Sequence, residues 1–170
     1  MVGLLTVGHS TADAAAFVSV LLSAGVDNLV VVRSFPGSRR YPHFGREQME
    51  IWVPAAGISY SRKRNLGGRR HTHVDSPNTG LRHPSFRSYA DWMATEQFAA
   101  ALDAVLEQAR RTTTAIMCAE ALWWRSHRRL ISDAAVLHGA DVQHLSHLGG
   151  LTPHQPADCV RVAGDHVVYE

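Results

Sequence analysis

Short apolar runs alternate with amphipathic ones along most of this chain. Residues 2–8, VGLLTVG, form a continuous apolar run of strand length. The stretch STADAAAFVSVLLSAGV then sets apolar positions at helical spacing, with Ser10 or Thr11 as the N-cap and Gly25 just past the end. NLVVVRS (28–34) is β-branched and apolar at successive positions, as a strand covered on both faces requires. GREQMEIWVPAAG (45–57) reads as a short helix that Pro54 kinks or ends, and ISYSR (58–62) as a third strand.

Residues 63–85 mix Gly, Pro, Asn, His and Arg without a period and are expected to form a long surface loop or lid. The stretch 85–111 predicts one helix or two with a break near Thr95, and the stripe Phe98, Leu102, Val105 and Leu106 marks its buried face. TTTAIMCAE (112–120) is a fourth strand, SHRRLISDAAVLHG (126–139) a helix, and ADVQHLS (140–146) a fifth strand. CVRVAGDHVVYE predicts a hairpin turning at Gly164–Asp165. Strands alternating with helices predict one α/β domain over 1–170, a Rossmann-like three-layer fold with a mostly parallel sheet and a small C-terminal hairpin.

In such a sheet, ligands bind where the strands reach their carboxyl ends. That rule selects Gly8 to Thr11, then Arg33 and Ser34, then the loop from Arg62, and finally Cys118, Ala119 and Glu120. Charge sharpens the selection. The net charge is +2, yet residues 33–70 hold nine basic side chains against two acidic ones, which is +7 for the segment and −5 for the remainder. Sixteen of the seventeen basic residues are arginine, whose planar fork suits phosphates, carboxylates and base edges. A basic segment in an acidic remainder favours an anionic partner, nucleic acid (DNA) or a nucleotide; the competing reading is a set of solvated loop charges.

Several classes are disfavoured. The first residues lack a basic leader and no apolar run reaches membrane-spanning length, so a soluble, cytoplasmic protein without a membrane partner is expected. Cys118 and Cys159 form no CxxC pair. His71, His73, His83, His144, His147 and His154 show no tight ligand spacing and are expected as unliganded surface residues, with no metal. Neither GxGxxG nor GxxxxGK[ST] occurs, so no cofactor is expected.

Three stretches carry candidate chemistry. GHST (8–11) puts His9, Ser10 and Thr11 at a helix start, as an anion site or an ordinary N-cap. RSFPGSRRYPHF (33–44) joins Arg33, Arg39 and Arg40 to Tyr41, His43 and Phe44, pairing phosphate binders with base-stacking faces, or laying a satellite core under a loop. CAEALWWRSHRR (118–129) ends a strand on Glu120. That carboxylate reads as a desolvated general acid, base or nucleophile, or as a structural ion pair with Arg33. Trp124, Arg125, Ser126, His127 and Arg128 follow at the next helix start, so the predicted catalytic group is Glu120, His9 and His127 and the rest are predicted to bind substrate.

TVGHST, VVRSFPGSRRYPHF, GISY, LGGRR and MCAEALWWRSHRRLISDA together resemble, in order and over most of the chain, the uncharacterised family of domains of unknown function numbered 488 (DUF488). The resemblance implies a compact Rossmann-like α/β protein and no settled reaction. Members commonly carry WRCHR where this chain has Ser126, which lowers any mechanism that needs a thiol at that position.

A strand-end carboxylate among arginines and aromatics fits an enzyme acting on a nucleotide or nucleic-acid base, through hydrolysis or transfer at an N-glycosidic bond (DNA glycosylase-like or deoxyribosyltransferase-like). The alternative is a non-catalytic nucleic-acid or phosphate-ligand binder using the same arginines. A phosphatase-like or thiol-dependent enzyme centred on Cys118 is a third, weaker reading.

Overall fold

The structure, a computed structural model, describes residues 1–33, 40–68, 70–71 and 73–170. In chain order the strands and helices are β1 (Val2–Gly8), α1 (Ala14–Ser23), β2 (Asn28–Val31), α2 (Arg46–Ala55), β3 (Ser59–Arg62), α3 (Pro84–Trp92), α4 (Glu96–Arg111), β4 (Thr114–Cys118), α5 (Arg128–Leu137), β5 (Ala140–Leu145), β6 (Leu151–Pro153), β7 (Val160–Ala163) and β8 (His166–Tyr169). The sheet runs β3-β2-β4-β1-β5-β6, parallel except for β6, and β7–β8 is a separate antiparallel hairpin. The predicted mixed α/β, mostly parallel architecture with its hairpin is the fold observed.

Alternation along buried strands divides the core in two. Leu29 and Val31 of β2 and Ala115 and Met117 of β4 face Phe17 and Leu21 of α1 and Met49 and Val53 of α2. Val30, Val32 and Ile116 face the opposite layer, built from Tyr89 of α3, the stripe Phe98, Leu102, Val105 and Leu106 of α4, and Leu130 and Ile131 of α5. Burying a side chain of this size contributes about 1.5–3 kcal/mol, so these two layers hold the sheet ends, and hence the loops, in register.

The departures from expectation are local. The α1 cap is Asp13, whose Oδ1 accepts from Ala16 N at 2.7 Å, not Ser10 or Thr11. Ser10 sits at φ 49°, a left-handed conformation that turns the chain before the helix starts. Pro54 lies in the last turn of α2, which ends one residue later. The break at Thr95 is real: its Oγ1 accepts from Phe98 N at 3.3 Å and caps α4. The expected long loop is pinned to the body, since Leu66 and Leu81 are buried and Asn78 donates to Asp91 and accepts from Tyr169 N. β6 was not predicted; it is three exposed residues ending on a proline, with no hydrophobic period to reveal it.

Candidate functional site at the carboxyl ends of β2 and β4

The strand order locates the site. β2 connects through α2 to β3 on one side, whereas β4 connects through α5 across β1 to β5 on the other. The two connections leave neighbouring strands in opposite directions and on opposite faces, which opens a crevice outside the ends of β2 and β4. A cavity of about 560 Å³ lies there, lined by Arg33 beyond β2, Cys118, Ala119 and Glu120 at the end of β4, Arg125, Ser126 and His127 before α5, Gly68 from the loop after β3, and Ser85 and Phe86 at the start of α3.

Glu120 is exposed, not desolvated as expected, because the chain leaves the sheet at Ala119 and turns outward. Its Oε1 accepts from Leu122 N at 3.3 Å, so the carboxylate is steadied by its own turn. Arg33 is half-buried, its Nη1 donating to the Phe44 carbonyl at 3.2 Å, and Arg125 is exposed at the cavity wall. Cys118 Sγ lies 3.1 Å from Ser126 Oγ and accepts from Arg128 Nε at 3.0 Å. Cys118 is buried, but its neighbours are polar and it reaches the cavity wall.

His127 donates from Nε2 to the Val32 carbonyl at 2.7 Å, which leaves Nδ1 as an acceptor. Gly68 abuts that ring: a Cβ there would come within 2.7 Å of Nδ1, so only glycine fits. Burial lowers the His127 imidazole to about 4, with Arg128 and Arg70 adding repulsion, and the ring is neutral at pH 7. It suits orientation better than proton shuttling.

Other predicted residues stand elsewhere. His9 is buried against Phe44, rings stacked at 3.9 Å, and is not part of the cavity wall. Its Nδ1 donates to the Ser10 carbonyl at 2.9 Å, and its Nε2 is buried without a hydrogen-bond partner among the described residues. Burial lowers it to about 4. Phe44 is fully buried between His9, Phe17 and Trp52 and presents no stacking face to a ligand. Arg128 is 1% exposed, its guanidinium turned inward onto Thr6, Cys118 and the carbonyls of Glu120 and Ala121 rather than toward a phosphate. Arg40 lies over the Tyr41 ring, and neither these two nor Ser10 and Thr11 line the cavity. Trp124 is half exposed and packs edge-on to Trp123, which stacks on His144. Arg39 lies outside the described residues.

No helix among the described residues is long and apolar enough to cross a membrane, and no cluster of three metal-ligating side chains occurs among them. No curated protein and no solved structure matches the chain. The family model described as Domain of unknown function DUF488 matches residues 13–135, the segment that supplies all the cavity-lining residues named above, and the chain belongs to that family.

Proposed function

We propose that the β2–β4 cavity takes a nucleotide or an extruded nucleotide of a nucleic acid, and that Glu120 acts on its N-glycosidic bond by hydrolysis or transfer. One observation carries the reading: Glu120 shares a single 560 Å³ cavity with Arg33 and Arg125, within the range of about 300–1,000 Å³ of small-molecule sites. The two guanidiniums hold phosphate, leaving the carboxylate near the sugar. As the bond to the base breaks, positive charge builds at the anomeric carbon and its ring oxygen, and a carboxylate stabilises it or traps it covalently. The base leaves with the bonding pair and takes a proton; water or a second base completes the reaction. Neutral His127, fixed by Val32, serves as an acceptor that orients the substrate.

The purified protein is to be incubated with modified and mismatched DNA and with free nucleosides and nucleotides. Base release that disappears in Glu120→Gln is expected. No release from any of them overturns the proposal. Salt-sensitive binding that survives Glu120→Gln without turnover would identify the binder instead.

A second reading has its own observation. The contacts of Arg128 Nε and Ser126 Oγ with Cys118 Sγ place a cation and a hydroxyl on a sulfur at the cavity wall, the setting of a sulfur nucleophile toward a phosphate ester. Phosphate release from p-nitrophenyl phosphate that is lost in Cys118→Ala but kept in Glu120→Gln would select it.

A further inference from the structure

Arg128 is a buried cation, and among the described residues no carboxylate lies within ion-pair distance of it. An isolated charge at such depth is costly. The nearest answer runs through four side chains. Arg128 Nη1 donates to Thr6 Oγ1 at 3.0 Å, and Thr6 Oγ1 meets His144 Nδ1. His144 Nε2 lies 2.9 Å from His154 Nδ1, His154 Nε2 lies 2.7 Å from Asp133 Oδ1, and the Tyr169 hydroxyl donates to Asp133 Oδ2 at 2.7 Å. Thr6, His144, His154 and Asp133 are all at least nine-tenths buried, so the expectation of surface histidines is corrected for these two.

The proton positions follow from the ends. Asp133 accepts, so His154 carries its proton on Nε2 and accepts at Nδ1. His144 therefore carries its proton on Nε2 and accepts at Nδ1 from the Thr6 hydroxyl, whose oxygen accepts from Arg128. Each donor meets an acceptor only if both imidazoles are neutral. Burial, with the Arg128 cation adding repulsion, lowers His144 to about 3, which keeps it neutral at pH 7.

We infer that Thr6, His144, His154 and Asp133 form a counter-charge chain that positions the Arg128 guanidinium and, through its bonds to Cys118 Sγ and the Glu120 and Ala121 carbonyls, sets the cavity turn that carries Glu120. These are positioning residues; none lines the cavity. Gly8 shows how closely the turn is set, since a Cβ there would fall 1.7 Å from the Glu120 carbonyl oxygen and 2.9 Å from Arg128 Nη2. The inference depends on where the cavity turn is, and on no particular chemistry inside it.

NMR on the full-length, isotope-labelled chain tests it in two ways. In the unmodified protein, long-range proton–nitrogen spectra should show His144 and His154 neutral with the proton on Nε2; a proton on Nδ1 of either, or a charged ring, at pH 7 overturns the chain. His144→Phe keeps a ring against Trp123 but severs the chain, and should displace the amide signals of Ala119, Glu120 and Ala121. His144→Gln restores one donor and one acceptor and should return them toward their original positions. Unmoved signals in His144→Phe, or equal displacement in both variants, would make packing the whole role and overturn the inference. If His144→Phe does not fold, the tautomer measurement still decides.

Discussion

The cavity between β2 and β4 and the polar chain linking β1, β5 and α5 both collect charge within one sheet, and they handle it differently. At the cavity, Glu120 and Arg125 are exposed, and their charged ends face solvent. In the chain, each donor from Arg128 to Asp133 is matched with an acceptor and sealed from water. A saturated network fixes geometry, whereas groups facing a solvent-filled crevice keep bonding capacity for a ligand. Arg128 belongs to both regions, with its Nη1 on the chain and its Nη2 on the cavity turn.

Acid should act first on the buried imidazoles, in the chain and outside it, with the largest effect on stability. His9 and His127 are lowered to about 4 and His144 to about 3, in each case chiefly by burial. The unfolded chain titrates near 6.5, so it binds more protons below that pH, and stability is full above about 6.5 and lost as pH falls toward 4. At about 1.4 kcal/mol per pH unit for each proton, each imidazole contributes on the order of 3 kcal/mol. Urea midpoints at pH 7, 6 and 5 should fall steeply; constant midpoints would contradict the burial of these rings.

Arg128→Leu comes next. It strands Thr6, Cys118 and two carbonyls and removes the cation at the far end of the chain from Asp133, for a loss of about 3–5 kcal/mol by denaturation. Arg128→Lys should recover only part of it, because one ammonium cannot reproduce the fork. Gly8→Ala should cost about 1–3 kcal/mol by pushing the Glu120 carbonyl, and any base-release activity should fall with it. Glu120→Gln and Arg125→Ala should shift stability by no more than about 0.5 kcal/mol. Glu120→Gln should abolish turnover, and Arg125→Ala should weaken oligonucleotide binding measured by fluorescence titration. A large stability loss in either would move that residue from the open region to the saturated one.

The layers of this fold were legible because its signals are local: apolar runs for β1, β2 and β4, a helical stripe in α4, a break near Thr95. The edge rule selected Arg33, Cys118, Ala119 and Glu120, and the next helix start Arg125, Ser126 and His127; all of these line one cavity, whereas Gly8 to Thr11 do not. Phe44 and Arg128 were misplaced for the same reason: their types suit ligand contact, and only long-range packing decides which way they turn. The 63–85 stretch was expected as a loop or lid, but nothing in it marked Gly68 and Ser85, or the neighbouring Phe86, as residues that line the cavity. The histidine chain is the extreme case, joining Thr6 to His144 and Asp133 to His154 and Tyr169 with no shared motif.

The central pairing also has a kinetic consequence. β4 lies between β1 and β2, and Leu5 stands opposite Ala115, so the pair that anchors the site closes a loop of more than a hundred residues. Loop closure of that span is slow relative to local helix formation. Helices should therefore appear early in refolding, and the crevice beside Glu120 should appear only in the final, sheet-completing phase.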